Sequence, residues 1–330
     1  MTPPAPLVVG FVAATVLALT AACLLGSTPM SAERVLAALI GGGDAGDRLV
    51  VWEIRFPRAL AAFLAGSALG ASGAALQGLL RNPLAEPGVL GVSATASLTA
   101  TFFLYYGLVS VSAWGLPVAA ITGALVATAL IAFAAVHTRS IITLILIGIG
   151  IASFAGAAMS LLMNLAPHPY ALSDMINWML GSVANRSLDD IALAAPFLLL
   201  GLVVLYSTRR GLAALTLGEE AAAGVGLDLL RQRVATVLGA GLSTGASVAL
   251  AGAIGFVGIV APHIVRPLVA HDPARSLVPS ALLAGLLLVL ADIGVRLIPS
   301  EQELRLGVVA ALVGAPVFVW IAVRRQAARD

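Results

Sequence analysis

Apolar runs long enough to cross a lipid bilayer recur along the whole chain. The sequence is 60% hydrophobic and only 10% charged, whereas soluble domains carry about 25% charged residues. A helix needs about 20 mostly apolar residues to cross the hydrocarbon core. By that criterion we find ten runs, near residues 7–25, 59–80, 88–110, 114–136, 141–165, 191–207, 234–251, 253–270, 277–295 and 306–323. Barrel strands instead show weak alternating patterns. We therefore predict an all-α polytopic membrane protein in which residues 1–330 form a single transmembrane domain.

Two of these runs come from one continuous stretch. Residues 234–262 are apolar over 29 positions, which is too long for one ordinary span. We place a break at Ala251–Gly252. The run that follows is interrupted by Pro262, His263 and Arg266. The count of ten spans depends on this break.

The distribution of arginines predicts the orientation of the chain in the membrane. All 18 Lys+Arg residues are arginines. Ten spans put both termini on one side of the membrane, and the segments on that side carry 11 arginines against 7 on the other. The positive-inside rule then predicts cytoplasmic termini. Arg55 and Arg58 consequently lie at the outer end of the second span, where the positive-inside rule does not explain them.

A few residues within the spans predict specific helix contacts. Gly66 and Gly70 form a small-xxx-small pair, which lets two helix backbones approach closely in lipid. Gln77 is expected to form a hydrogen bond with a neighbouring helix. Asp292 and Arg296 are four residues apart on one helical face, so we expect an ion pair between them.

The sequence shows no catalytic motif, no set of metal ligands and no phosphate-binding loop. It has no H-E-x-x-H, G-x-S-x-G or phosphate-loop motif. Cys23 is the only cysteine, and His263 and His271 have no carboxylate or cysteine at metal-ligand spacing. Ion-driven carriers need carboxylates near the bilayer midplane, and the spans offer essentially none. We predict no catalytic residue, no metal site and no cofactor bound by this chain. Transport against a gradient, if this chain performs it, would therefore require energy from another subunit. An ion-gradient-driven secondary transporter and an intramembrane enzyme are the alternatives.

A polar segment, residues 209–233, separates two of the apolar runs. It is too long for a turn between spans. Gly218 followed by Glu219 and Glu220 is typical of a helix start, because acids are favoured near a helix N-terminus. Asp228 is a candidate N-cap for a second helix. We predict two short helices at the cytoplasmic surface that fit a partner's cleft. An interfacial amphipathic helix without a partner is the alternative.

The fifth span and the segment after it carry weakly polar side chains. Ser160, Met163 and Asn164 are candidates for lining a transport pathway, because soft, weakly polar surface lets a bulky substrate pass without sticking. The following segment is expected to form a short interfacial helix. Trp178 in this segment is interpreted as an anchor at the membrane interface.

Seven ordered blocks, within about residues 50–324, resemble the iron-chelate/cobalamin permease family (FecCD-type). The blocks are R-F-P-R at 55–58, G-A-A-L-Q-G-L-L-R-N-P-L-A-E-P-G-V-L-G-V-S at 73–93, W-M-L-G-S at 178–182, L-G-E-E-A-A-A-G-V-G at 217–226, G-F-V-G-I-V-A-P-H-I-V-R at 255–266, A-D-I-G-V-R at 291–296 and L-G-V-V-A-A-L-V-G-A-P-V-F at 306–318. One departure is Glu303-Leu304-Arg305, where the family usually has Glu-Leu-Pro. Arg305 adds a positive charge on the predicted outer face.

The resemblance implies a ten-helix permease subunit of a type II ABC importer. Such a subunit forms a homodimer around a central pathway, with two ATP-binding subunits below and an extracytoplasmic substrate-binding protein above. It would import a ferric siderophore, heme or cobalamin across the bacterial inner membrane. Mg-ATP would bind to the partner ATPase. The implied partners include membrane lipid and no nucleic acid.

The resemblance also implies two sets of functional residues. The coupling loop, at about residues 209–233, would contact the ATPase through Leu217, Gly218, Glu219, Glu220, Ala221, Ala222, Gly224 and Gly226. Arg55, Arg58 and Arg296 match arginines that pair with acidic residues of the binding protein.

Overall fold

The structure is a computed structural model that describes residues 3–26, 29–108, 112, 114–138, 140–298 and 303–327. Within these ranges every regular element is helical. The α-helices are α1 (Ala5–Leu24), α2 (Ala32–Leu39), α3 (Ala45–Leu49), α4 (Phe56–Leu79), α5 (Val92–Tyr105), α6 (Gly115–His137), α7 (Ile141–Asn164), α8 (Pro169–Met179), α9 (Leu188–Ala214), α10 (Glu219–Gly224), α11 (Leu229–Ala251), α12 (Val257–Leu268), α13 (Pro273–Leu297) and α14 (Leu306–Ala327). A π-helical turn, Val50–Arg55, joins α3 to α4, and short 3₁₀ turns cover Pro87–Leu90 and Leu215–Leu217.

Each of the ten predicted spans overlaps one of these helices. In the described part of the chain, seven are long and apolar enough to cross a membrane: α1, α4 with its preceding turns, α6, α7, α9, α11 and α13. Three shorter apolar helices, α5, α12 and the Leu306–Val317 part of α14, occupy the remaining predicted spans. The all-α polytopic fold is therefore confirmed.

The predicted bounds of the third and eighth spans were wrong, because breaks in the backbone shorten both helices. The third span was expected from residue 88, but α5 begins only at Val92, after Gly91 with a φ of +74°. Its expected end near residue 110 lies outside the described residues. The break at Ala251–Gly252 is confirmed, since α11 ends at Ala251 and Gly252 has a φ of +68°. The chain is then non-helical until α12 begins.

Helix α4 lies at the centre of the bundle and packs against α13, α11, α12 and α9. Its small residues permit this packing, as the sequence predicted. A Cβ placed on Gly66 would lie 2.5 Å from the backbone oxygen of Ala284 in α13, and one on Gly70 would also meet Ala284. Close backbone approach increases van der Waals contact, which helps to hold helices together in lipid.

Side-chain contacts define the two ends of the bundle. At one end, here called the arginine end, Arg58 near the start of α4 pairs with Asp292 near the end of α13. At the opposite end, here called the α10 end, Arg266 Nη2 donates to Gln77 Oε1 at 2.6 Å. Gln77 Nε2 in turn donates to the carbonyl of Gly258 at 3.4 Å. The predicted contact of Gln77 with a neighbouring helix is thus confirmed.

Candidate functional site

The polar segment at residues 209–233 is only partly a loop. Helix α9 continues through it to Ala214, and α11 begins at Leu229. The first predicted short helix corresponds to α10. The second prediction was wrong in one respect: Asp228 is indeed an N-cap, with its carboxylate accepting from Arg231 N at 3.0 Å, but the helix it caps is the long α11. Polar residues can extend a spanning helix beyond the bilayer, and the hydropathy pattern did not show this.

Helix α10 is fastened to the start of α11. Arg233 Nη2 donates to both carboxylate oxygens of Glu219 at 2.8 Å, and the Arg233 side chain is buried. Ala222 on α10 is also buried. Gln232 Nε2 donates to the carbonyl of Thr208 in α9 at 3.1 Å. An ion pair and a hydrogen bond therefore hold the segment from α9 to α11 together at the α10 end of the bundle.

The opposite face of this segment is uncovered. Leu217 and Val225 flank α10 and are 67% and 70% exposed. Glu220, Ala221 and Gly224 are also exposed. The predicted coupling residues thus form two groups: Glu219 and Ala222 attach α10 to the bundle, and the others are accessible from outside. Exposed apolar residues rimmed by polar ones are typical of protein-binding surfaces. No measurement tests the coupling role, which stays a prediction.

The three predicted docking arginines lie together at the arginine end. Arg55 Nη1 donates to the carbonyls of Cys23 and Leu24 at 2.8 and 2.9 Å. Arg58 pairs with Asp292 at 2.7 Å and also with Glu303.

Arg296 completes this arginine network. Its Nε lies 3.1 Å from Asp292 Oδ2, which confirms the expected pair within α13. Its Nη1 donates to the carbonyls of Ala22 and Leu25 at 2.9 and 3.0 Å. The three arginines thus hold the ends of α1, α4 and α13 together. Their docking role is untested, and it stays a prediction.

The candidate pathway residues lie on α7, a helix with few buried positions. Its buried residues are Leu144, Gly148, Ala155 and Met159. Ser160 and Asn164 are exposed and Met163 is half-buried, so these side chains remain available to a pathway, a second copy of the chain or lipid. The pathway role stays a prediction.

Trp178 is not exposed to lipid, as an anchor at the membrane interface would be. The short helix expected in this region is present as α8, but Trp178 is only 8% exposed and packs into the bundle. The interpretation as an interfacial anchor was therefore wrong. Tryptophan is common both at interfaces and in helix packing, so its identity alone did not decide between them.

Sequence reasoning also missed Glu86, which lies in the link between α4 and α5. Its Oε2 accepts a hydrogen bond from Phe256 N, at the start of α12, at 3.4 Å. Burial raises the pKa of Glu86, and the hydrogen bond from Phe256 offsets this only in part. A cavity of about 150 Å³ lies beside it. The signal in the sequence was an acid between Pro83 and Pro87, in a turn between two apolar runs.

Comparisons with known proteins identify relatives over almost the whole chain. The FecCD transport family matches residues 14–324. The ABC transporter permease protein YvrB of Bacillus subtilis is 40% identical over 292 residues, which cover 87% of this chain and 82% of YvrB. The vitamin B12 import system permease protein BtuC of Salmonella typhi is 38% identical over 274 residues, covering 83% of each chain.

A solved structure shares the fold. It is an inward-facing conformation of a metal-chelate type ABC transporter, which superposes with a TM-score of 0.85 at 27% sequence identity. The match covers 96% of this chain and 98% of the other. The arrangement of helices described above is therefore that of an ABC transporter permease.

Proposed function

Because the chain belongs to the FecCD transport family, we propose that it is the permease subunit of an ABC importer for cobalamin or an iron chelate. The relatives named above include a vitamin B12 import permease and a metal-chelate type transporter. Siderophore and heme complexes are the iron chelates of interest. The chain is a multi-pass membrane protein, which suits a bacterial inner-membrane subunit with cytoplasmic termini.

The uncovered face around α10 is the observation that carries this proposal. The sequence has no phosphate-loop motif, so ATP with its magnesium ion would bind to a separate ATPase subunit. That subunit needs a contact through which to move the helices. The segment around α10 provides one, because it presents Leu217 and Val225 to the outside while Glu219 fastens it to α11.

Helices α9 and α11 would carry the motion into the membrane. Both are continuous with the segment around α10, and α11 packs along α4, α6 and α9. A displacement of α10 would therefore move two spanning helices that contact the centre of the bundle. In the proposed assembly two copies of the chain enclose the pathway and bind two ATPase subunits.

A substrate-binding protein would dock at the arginine end. Glu303 and Arg58 lie there at the surface and just beneath it. Individual exposed ion pairs contribute only about 0–1 kcal/mol, so docking would use several contacts, repeated by the two-fold symmetry of a dimer. Arg55, Arg58 and Arg296 would act partly by holding the docking surface in shape.

The ATPase contact can be tested by shortening its apolar side chains. Burying a leucine side chain contributes about 1.5–3 kcal/mol, so Leu217→Ala should weaken association with the ATPase subunit roughly tenfold or more. The measurement is the dissociation constant of the detergent-solubilised subunits, together with substrate uptake in proteoliposomes. Leu165→Ala is the matched control, since Leu165 is a comparably exposed leucine at the arginine-end terminus of α7. Equal association of both variants and the wild type would refute the proposed contact.

A charge exchange separates the attachment of α10 from its contact with the partner. Glu219→Arg alone would place two cations together and should detach α10, reducing uptake. Combining it with Arg233→Glu restores an ion pair with reversed polarity and should recover much of the uptake. Glu220→Arg should reduce ATPase association without rescue by Arg233→Glu, because among the described residues Glu219, and not Glu220, pairs with that arginine.

A further inference from the structure

A cavity of about 260 Å³ lies at the α10 end of the bundle. The end of α4, the Leu215–Leu217 turn, α12 and the start of α13 surround it. The coupling and docking residues considered above do not line it. Its polar lining includes Gln77, Arg81, Arg266, His271 and Asp272.

Positive charge exceeds negative charge at this cavity. Arg81 and Arg266 supply two guanidinium groups, and His271 adds an imidazole. The carboxylate in the lining is that of Asp272, which caps the start of α13 and pairs with Arg275 at 3.2 Å. Three guanidinium groups against one carboxylate leave a net charge of +2. An anion bound in the cavity would balance this charge.

The guanidinium group of Arg81 has no acidic partner among the described residues. It lies next to the segment around α10, since a Cβ placed on Gly218 would be 3.9 Å from Arg81 Nη1. Glu219, the residue after Gly218, is already paired with Arg233. The charge of Arg81 is therefore available to a ligand.

Arg266 is held in position on the opposite side of the cavity lining. Its Nη2 donates to Gln77 Oε1 at 2.6 Å, and its own carbonyl accepts from His271 N at 2.9 Å. The amide group of Gln77 is oriented in turn, because its Nε2 donates to the carbonyl of Gly258 at 3.4 Å. Groups that are already fixed lose less conformational freedom when a ligand binds.

Two of the lining residues have a backbone conformation that is unfavourable for them. Arg81, just after α4, has a φ of +47°, and His271, just after α12, has a φ of +61°. Glycine or asparagine usually occupies this left-handed position after a helix. Backbone strain of this kind is concentrated at binding sites, where a particular side chain is needed. The strain therefore indicates that the side chains of Arg81 and His271 are used.

We propose that this cavity binds a phosphate group. The guanidinium groups of Arg81 and Arg266 would donate to its oxygens, and the imidazole N–H of His271 would add a further donor. A phosphate suits this set because guanidinium groups bind its oxygens through paired, charge-assisted hydrogen bonds. Its tetrahedral shape also allows donors to approach from α4, α12 and the α12–α13 link at once. The phosphate can belong to a phospholipid headgroup, since basic pockets between membrane helices bind such headgroups, or to free phosphate in solution.

Binding can be measured on the full-length chain, without transport. The chain is labelled with ¹³C-histidine in an uncharged detergent, and the His271 signal is assigned by its absence in His271→Asn. Titration with inorganic phosphate at fixed pH and ionic strength forms one arm, and titration with dioctanoyl-phosphatidylglycerol forms the other. A saturable shift with inorganic phosphate alone identifies free phosphate, whereas a saturable shift with the lipid identifies the headgroup. Dioctanoylglycerol, which has the same acyl chains and no phosphate, is the control. Absence of a shift in both arms, or an equal shift with dioctanoylglycerol, would overturn the proposal.

A glycine variant separates the side chain of Arg81 from the fold. Arg81→Gly should unfold at a temperature no lower than the wild type, because glycine suits the φ at this position. It should nevertheless weaken binding roughly 10–100-fold, as expected for loss of a charge-assisted hydrogen bond. Ala270→Gly is the matched control, since Ala270 has a φ of +54° and lies outside the cavity lining. Arg48→Gln removes an exposed arginine elsewhere. Both controls should bind as the wild type does. Unchanged binding by Arg81→Gly, or equal weakening by Arg48→Gln, would refute the assignment.

Discussion

Replacing Asp292 with asparagine should destabilise the protein more than any change at its surface ion pairs. Asp292 is 1% exposed and pairs with Arg58 at 2.7 Å and Arg296 at 3.1 Å. At an effective dielectric constant of about 20, one pair with charges about 4 Å apart contributes roughly 4 kcal/mol. The two arginines repel each other and keep their carbonyl and Glu303 contacts, so the two contributions do not add fully. We expect Asp292→Asn to cost about 3–5 kcal/mol, the usual effect of breaking a buried ion pair.

The free energy of unfolding can be measured by titration with sodium dodecyl sulfate in mixed micelles, followed by tryptophan fluorescence. Arg275→Gln is the control, because Arg275 forms an ion pair with Asp272 but is 43% exposed. It should cost no more than about 1 kcal/mol. Adding Arg58→Gln to Asp292→Asn should cost less than the sum of the two single changes, with a coupling energy of about 0.5–3 kcal/mol.

A result within about 1 kcal/mol of the wild type for Asp292→Asn would refute this reasoning. It would mean that Arg58 and Arg296 are well solvated without their acid, and that the network does not hold α4 against α13. The arginines would then be free to serve docking alone.

Two further predictions concern packing and pH. Gly66→Leu should prevent the close contact of α4 with α13, because even a Cβ at Gly66 meets the backbone of Ala284. Size-exclusion chromatography should show loss of folded protein. Gly10→Leu is the control, since no atom lies near the Cβ position of Gly10, and it should elute as the wild type does. Glu86→Gln should become more stable relative to the wild type as pH rises above the ordinary glutamate pKa of about 4.3. The reason is that burial raises the pKa of Glu86, so the unfolded wild type gives up this proton at a lower pH than the folded one, and the wild type loses stability as pH rises through the interval between the two pKa values. A difference in unfolding temperature that does not change with pH would contradict this assignment.

Local patterns in the sequence predicted much of the fold. The apolar runs predicted a helix in each of ten places, because a helix satisfies its own backbone hydrogen bonds and so can cross lipid. Gly66 and Gly70 predicted close helix packing, and the spacing of Asp292 and Arg296 predicted their ion pair. These features depend on residues near one another in the sequence, so their geometry follows from the helix itself.

The bounds of the helices were harder to predict where hydropathy and backbone geometry disagree. Residues 253–256 are apolar, but the chain there is not helical. Arg209 and Arg210 are charged, yet α9 continues through them. Hydropathy reports the preference of side chains for lipid, whereas the helix ends depend on backbone hydrogen bonds and on glycines with positive φ.

The sequence by itself determined the class of protein, the ten helical segments, the absence of an ATP-binding motif and, through its ordered blocks, the family. Only the tertiary structure decided which partner each polar side chain has. Arg58 and Asp292 are 234 positions apart, and the cavity at the α10 end brings together residues from α4, α12 and the start of α13. In a bundle of apolar helices, a charged residue is stable only beside a suitable partner, and that partner is set by which helix ends meet in space.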